Sequence, residues 1–323
     1  MSENDSSESD WDTEMDPEEE KEYRRQVQES DGFDVDCFRY ARIKPYPLKD
    51  ENAYTYDVEL FGRLGLHCYN LLHKGTNLKL LCIPKYNTLD IALTCGYYLT
   101  LEAMDTYNNS PCTFQTYVRE VGQTSEHGYL VVQTYIARLK VPTGPHNTSI
   151  GRGWIWGWEE EAIDVYYKGK LPKWLTNDML AAAKDEYYVV QESDFLENEW
   201  LHLYAEIALY SNWKWHASSL VRSFLPLKIK YVIVQTRKSC EESPHLKLKA
   251  DNAIFYMSFK GSGDHPSGKH YEYQAIVRKT MDGKPGHIRL EVDSWEGIPS
   301  DLIGEDEPPY SEPEPECSSS AAQ

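Results

Sequence analysis

The sequence lacks any pair of cysteines spaced as Cys-x-x-Cys, although it contains seven cysteines in 323 residues. An odd number of scattered cysteines argues against a disulfide framework, and the missing spacing argues against a structural zinc site. No basic N-terminal region precedes an apolar run, and no stretch approaches eighteen apolar residues. We therefore expect an intracellular protein, in the nucleus or cytoplasm, with no secretory signal and no membrane contact.

Basic residues are scarce at both ends of the chain. Residues 1–32 hold 13 acidic and three basic residues, and residues 300–323 hold seven acidic and no basic residues, out of a formal net charge of −19. The body between them is close to neutral and lacks the basic stripe that nucleic-acid binding requires. Because both ends are poor in apolar residues, they are predicted to be disordered acidic tails, which would favour basic protein partners.

Motifs of known catalytic chemistry are also missing. There is no Gly-x-Ser-x-Gly elbow, no His-Glu-x-x-His pair and no dinucleotide fingerprint. Residues 263–270 nearly match a phosphate-binding loop, but His270 stands where Ser or Thr would ligate magnesium. His67 beside Cys68 has no further ligands at zinc-finger spacing. We therefore expect no enzyme activity, no cofactor and no metal.

Between the tails, the hydrophobic pattern predicts an α+β protein of two units, each a helix with an antiparallel sheet. Apolar residues recur at helical spacing over residues 57–73 and again around Leu201 and Tyr204. Four strand-like runs follow each helix, at residues 79–83, 92–103, 113–121 and 129–139, and at residues 227–235, 253–259, 271–279 and 288–293. The predicted division is a first unit at 33–145, a Trp-rich connector at 146–190 and a second unit at 191–299.

The first unit resembles the cystatins. Its helix ends in His67-Cys68-Tyr69-Asn70, and its second strand reads Tyr97-Tyr98-Leu99-Thr100-Leu101-Glu102-Ala103. The resemblance implies a helix packed on a four-stranded antiparallel sheet. The inhibitory Gln-x-Val-x-Gly loop of cystatins aligns with Asp90-Ile91-Ala92-Leu93-Thr94, which lacks both the Gln and the Gly. A cysteine-protease inhibitor of cystatin type is therefore an alternative function with a degraded motif.

A wider set of motifs resembles a plant-specific, cystatin-related family of poorly characterised proteins that includes a male-sterility protein involved in meiosis. These motifs are Glu29-Ser30-Asp31-Gly32-Phe33-Asp34-Val35, Gly62-Arg63-Leu64-Gly65-Leu66-His67-Cys68-Tyr69-Asn70, Lys74-Gly75-Thr76-Asn77-Leu78, Tyr167-Lys168-Gly169-Lys170-Leu171-Pro172 and Tyr187-Tyr188-Val189-Val190. The resemblance implies a non-catalytic interaction or scaffold protein in plant development, including meiosis or embryo formation.

Two sets of residues are candidate sites. Trp154, Trp156 and Trp158 would share one face of an extended segment, either as a partner-binding ladder or as a seam that docks the connector between the two units. Ser7 and Ser9 are candidate phosphorylation sites because an Asp follows each three residues later, although a plain solvating tail is the alternative. A small-molecule site between helix and sheet also stays open, since pockets are not visible in sequence.

Overall fold

A computed structural model of the chain describes residues 15–48, 54–91, 94–121, 128–140, 157–182, 186–213, 218–237, 244–261 and 272–296. The helices are α1 (Pro17–Ser30), α2 (Tyr56–Leu72), α3 (Asn177–Ala182), α4 (Glu192–Glu197), α5 (Trp200–Trp213) and α6 (Ser218–Ser223). The strands are β1 (Ile43–Pro45), β2 (Leu78–Ile91), β3 (Thr94–Asp105), β4 (Ser110–Val121), β5 (Leu130–Leu139), β6 (Tyr187–Val189), β7 (Leu227–Gln235), β8 (Ala253–Gly261), β9 (Glu272–Thr280) and β10 (Ile288–Glu296).

All ten strands form one antiparallel sheet in the order β1-β2-β3-β4-β5-β10-β9-β8-β7-β6. Its centre is the pair β5 and β10, in which Thr134 lies opposite Ile288 and Leu130 opposite Val292. The hydroxyl of Thr134 strengthens this junction, because it donates to the carbonyl of Gly286 and accepts from the amide of Ile288. Each half of the sheet runs from a short edge strand through a long helix to four strands in sequence.

One face of the sheet is covered by α2 and α5, and the side chains between them form the largest apolar core. Strand residues reach this core by alternation, as Phe255, Met257 and Phe259 do on β8. The close approach of α2 depends on Gly65, where a Cβ atom would lie 2.5 Å from the Cβ of Thr116 on β4. Helix α5 has buried residues all around its middle, as expected of a helix enclosed between a sheet and neighbouring helices.

The opposite face is covered by two other segments. Helix α1 and the turn after it pack on the first half of the sheet, where Phe33, Tyr98 and Tyr117 are buried together. Residues 157–182, which we call the connector layer, pack on the second half, where Tyr167 and Leu175 are buried in one apolar cluster with Tyr256 and Ile276. The protein is therefore built of three layers, with the sheet in the middle.

The predicted cystatin-like helix on a four-stranded sheet, followed by a second unit of the same kind, is wrong. The expected helices and strands lie near their predicted positions, but β5 is not an edge strand, because its outer side pairs with β10. Helices α2 and α5 also contact each other through Arg63 and Glu206. Periodicity reports local conformation only, so it could not reveal that the two predicted sheets are one.

The predicted disorder of residues 1–32 is wrong for α1. The side chain of Asp16 caps this helix by accepting a hydrogen bond from the amide of Glu18, and Pro17 is the first residue of the helix, where proline is favoured. Ion pairs between Arg25 and both Glu22 and Glu29 line its exposed side. Tyr23 and Val27 pack against the buried cluster of Phe33, so this acidic segment has apolar side chains enough to fold onto the sheet.

Candidate partner-binding surface

A partly buried ion pair joins α2 to α5. The guanidinium of Arg63 donates to both carboxylate oxygens of Glu206, at 2.6 and 3.0 Å, and the hydroxyl of Tyr56 donates to the same carboxylate at 2.6 Å. Burial, with Glu206 beside it, raises the pKa of the Tyr56 hydroxyl. Both oxygens of the Glu206 carboxylate on α5 are thus bound by side chains of α2, so the cluster aligns the two helices.

His67 and Cys68, the pair considered for metal binding, lie inside the core under α5. Burial lowers the pKa of His67 to about 3 and raises that of Cys68 to about 12. At neutral pH the thiol is therefore protonated, so it is not a ready nucleophile, and the imidazole is too weakly basic to act as a general base. His67 Nε2 lies 3.1 Å from the hydroxyl of Tyr204, and its ring stacks on Trp200.

Lys279 points into the same core from β9. Its side chain is 1% exposed, and its Nζ lies 6.0 Å from the centre of the Trp200 ring. Burial lowers the pKa of Lys279 to about 8. Among the residues that the structure describes, no group of three or more His, Cys, Asp or Glu side chains is placed to hold a metal ion.

Trp158, one of the three candidate partner-binding tryptophans, makes its contacts within the molecule. Its ring is parallel to that of His287 at 5.8 Å, and the guanidinium of Arg289 lies 4.2 Å from its centre. His287 in turn shares a buried hydrogen bond with Asp282. This placement corresponds to the seam between connector layer and sheet. Trp154, Trp156, Ser7 and Ser9 lie outside the described residues.

The connector layer is fixed to the sheet through backbone carbonyls. Arg278, whose side chain is 3% exposed, donates to the carbonyl of Gly169 at 2.7 Å and to Glu291 at 2.5 Å. The hydroxyl of Tyr167 accepts from the backbone amide of Arg237 at 2.7 Å. These contacts explain the Tyr167–Pro172 motif, and they set the position of Trp174 a few residues later.

Trp174, Tyr231 and Trp295 form what we call the aromatic surface. The ring of Trp174 stands edge-on to that of Trp295 at 5.5 Å and lies 6.4 Å from that of Tyr231. Tyr231 is 37% exposed, and the two tryptophans are partly buried. Three large aromatic side chains from the connector layer, β7 and β10 thus meet on the face of the sheet that the connector layer covers.

The sheet beneath holds the aromatic surface in place. Trp295 Nε1 donates to Oε1 of Gln274 at 3.0 Å. Tyr231 lies opposite Ser258 in the sheet, and burial raises the pKa of its hydroxyl. Because the indole N–H of Trp295 is engaged from below, the apolar face of this ring is presented in a fixed orientation.

Sequence reasoning missed this surface and selected a different group of tryptophans. The three residues are more than fifty positions apart in the chain, and only the order of the strands brings them together. A local signal existed only for Trp295, which lies two and four residues after Asp293 and Glu291 and so shares one face of the strand with them.

No helix in the described part of the chain is long and apolar enough to cross a membrane.

Comparisons with known proteins place the chain among plant proteins. Residues 171–290 match a family model described as Protein MS5. UPF0725 protein At4g28920 of Arabidopsis thaliana is 82% identical over 96% of this chain and all of that protein. UPF0725 protein At4g29550 of the same plant is 44% identical over 86% of this chain and 75% of that protein.

A solved structure agrees with these relatives. The crystal structure of MS5 from Brassica napus superposes with a TM-score of 0.57 at 26% sequence identity, over 76% of this chain and all of that one. The resemblance to a plant-specific family that the sequence motifs indicated is thereby confirmed. The chain belongs to the plant protein family that contains the UPF0725 proteins and MS5.

Proposed function

We propose that this protein is a non-catalytic, intracellular interaction protein of plant reproductive development, and that it binds a protein partner through the aromatic surface. The observation that carries the proposal is the group of Trp174, Tyr231 and Trp295, partly exposed and held from below by Gln274. Trp and Tyr dominate the energetics of protein interfaces, most of all where their orientation is fixed before binding.

The state of the buried groups supports a role without chemistry. His67, Cys68, Glu206 and Lys279 are the side chains that would suggest catalysis, but each is enclosed between α2, α5 and the sheet. Membership of the MS5 family supports the reproductive setting. A surface that binds a partner requires neither an accessible nucleophile nor a cofactor.

The test compares proteins captured from developing flower buds by three versions of the full chain. Replacing both Tyr231 and Trp295 by alanine should remove the specific partners from the captured set. The matched control is Tyr107→Ala, because Tyr107 is 68% exposed at the distant turn between β3 and β4. Thermal melts should show that each version folds. Equal capture by all three versions would reject the aromatic surface as the binding site.

A further inference from the structure

Three lysines lie on the sheet beside the aromatic surface. On β8, Phe255, Met257 and Phe259 face the helices, so Ser258 and Lys260 face the opposite way, toward the side of the connector layer. Lys228 on β7 lies directly opposite Lys260. Lys230, between Lys228 and Tyr231, reaches the same side, where it pairs with Glu272. We call Lys228, Lys230 and Lys260 the lysine row.

The charges of the lysine row are not balanced by the residues around it. Glu272 is the carboxylate next to the row, since it pairs with Lys230 and lies opposite Lys260 in the sheet. Neither Lys228 nor Lys260 forms an ion pair with any residue that the structure describes. Like charges directly opposite one another weaken a sheet, so a bound anionic group would relieve this pair.

The chain itself supplies a segment of opposite charge. Residues 297–323 follow β10 directly, and the last residues of that strand include Trp295 of the aromatic surface. Residues 300–323 contain seven acidic residues, no basic residue and four prolines. Aromatic-lined surfaces commonly bind extended proline-containing segments, and lysines pair with carboxylates. The acidic residues of this segment therefore match the lysine row, and its prolines match the aromatic surface.

The distances allow this contact in one molecule. Adjacent strands are about 4.8 Å apart, so β8 lies about 10 Å from β10 across β9. Asp301 is the first acidic residue after Glu296, and an extended chain advances about 3.4 Å per residue, so five residues span about 17 Å. A segment tethered this close has an effective concentration in the millimolar range.

We propose that the acidic, proline-containing segment at residues 301–316 docks in cis on the lysine row and the aromatic surface. Its carboxylates pair with Lys228 and Lys260, and its Pro308-Pro309-Tyr310 sequence lies against Trp295 and Tyr231. A protein partner must then displace this segment, so the tail sets the affinity of the surface. That last consequence rests on the proposed function, whereas the docking itself does not.

Zero-length carbodiimide cross-linking of the full chain tests the docking without any partner. It joins a carboxylate to an amine only when the two are in contact. Mass spectrometry of the monomer should find Asp301, Glu305, Asp306 or Glu307 joined to Lys228 or Lys260. Lys44 and Lys74, exposed lysines on other parts of the fold, provide the internal comparison. Tail carboxylates joined equally to Lys44 and Lys74, or to no lysine, would overturn the proposal.

Two variants sharpen the result. In the first variant, Asp301, Glu305, Asp306 and Glu307 are changed to their amides, which leaves the described fold untouched. The cross-links that the remaining carboxylates of the tail form with Lys228 and Lys260 should then fall at least tenfold. The charge reversal K228E/K260E removes the amines that would be cross-linked, so its effect is measured by limited proteolysis: cleavage within residues 301–316 should become faster than in the wild type, whereas the matched reversal K44E/K74E should leave the rate unchanged. Cross-links in the wild type together with partner capture that ignores Tyr231 and Trp295 would refute the proposed function alone. Loss of partner capture on replacing Tyr231 and Trp295, together with no cross-links in the wild type, would refute only the docking.

Discussion

Asn70 binds the backbone of Leu78 as a neighbouring strand would. Its Nδ2 donates to the carbonyl of Leu78 at 3.0 Å, and its Oδ1 accepts from the amide of the same residue at 2.9 Å. The side chain near the end of α2 therefore satisfies both polar groups at the first residue of β2. The Tyr-Asn ending that suggested a cystatin helix thus has a structural purpose here.

Replacing Asn70 by alanine should lower the free energy of unfolding by about 1–3 kcal/mol, because both backbone groups of Leu78 would lose their partner. Asn70→Asp should cost a similar amount, since a carboxylate cannot donate to the carbonyl. Urea unfolding followed by circular dichroism measures the change. Asn108→Ala is the control, because Asn108 is exposed in the turn between β3 and β4 and its side chain donates to the carboxylate of Asp105 rather than to the backbone of a strand. Equal stability of the Asn70 and Asn108 variants would contradict this role.

Two glycines of α2 should respond differently to alanine. A Cβ at Gly65 would overlap the side chain of Thr116, which is fully buried and donates to the carbonyl of Ile136 at 2.8 Å. At Gly62 the nearest atom is 3.3 Å away, at the movable end of Leu101. We expect Gly65→Ala to destabilise the protein by about 3 kcal/mol or more, and Gly62→Ala by less than about 1 kcal/mol.

A compensating change checks the cause of the Gly65 effect. Thr116→Ala removes the atoms that the new Cβ would overlap, so the double variant Gly65→Ala/Thr116→Ala should be more stable than the sum of the single changes implies. Thermal melts of all four proteins give the coupling. Strict additivity would show that the helix and β4 do not meet at these two residues.

Lys279 should make stability rise with pH on the alkaline side. Its pKa is about 8 in the folded protein and near 10.5 in the unfolded chain, so the unfolded state binds more protons between these values. Stability therefore increases as pH rises from about 8 to 10.5, by about 1.4 kcal/mol for each unit of pKa difference. Lys279→Met should remove this dependence and raise stability at pH 7 by about 1–3 kcal/mol.

Urea unfolding at pH 7, 8 and 9.5 measures the Lys279 effect, with Lys74→Met as the control at an exposed site. The wild type and the control should gain stability over this interval relative to Lys279→Met. A Lys279→Met variant that is less stable than the wild type at pH 7 would show that the cation is needed in the core, through its contact with Trp200.

His67 should lower the stability of the protein in mild acid, at pH values above those at which most carboxylates titrate. Its pKa is lowered by burial to about 3, against 6.5 in an unfolded chain, so the unfolded state binds the extra proton between these values. Stability is therefore lost as pH falls below about 6.5. His67→Gln keeps a donor for Tyr204 and should flatten the profile between pH 5 and 6.5. His73→Gln, at the exposed end of α2, should leave it unchanged.

Local structure could be predicted from the sequence, but the assembly could not. The alternation on β7 and the helical spacing of α2 are short-range patterns, and the structure places these elements at Leu227–Gln235 and Tyr56–Leu72. The junction between β5 and β10 joins residues more than 150 positions apart, and the residue pattern of neither strand indicates which strand it pairs with. The aromatic surface depends on that junction and on the connector layer, so it was invisible for the same reason.

The buried ion pair of Arg278 with Glu291 should contribute strongly to holding the connector layer on the sheet. Arg278 is held by Glu291 and holds the carbonyls of Gly169 and Lys170. Arg278→Met leaves the Glu291 carboxylate buried without its cation, so we expect a loss of about 3–5 kcal/mol. The double variant Arg278→Met/Glu291→Met removes both charges and should recover part of that loss.

Both variants lack the donor to Gly169, however, so both should release the connector layer even where stability is recovered. Limited proteolysis should then cut within residues 157–182 at least tenfold faster than in the wild type, and the quenching of Trp174 by its neighbours should fall. Arg24→Met, which breaks an exposed pair with Glu20 on α1 and touches no residue of the connector layer, is the matched control and should leave residues 157–182 protected. If the double variant were as resistant as the wild type, the apolar contacts of Tyr167 and Leu175 would be sufficient to hold the layer, and the position of Trp174 would not depend on Arg278.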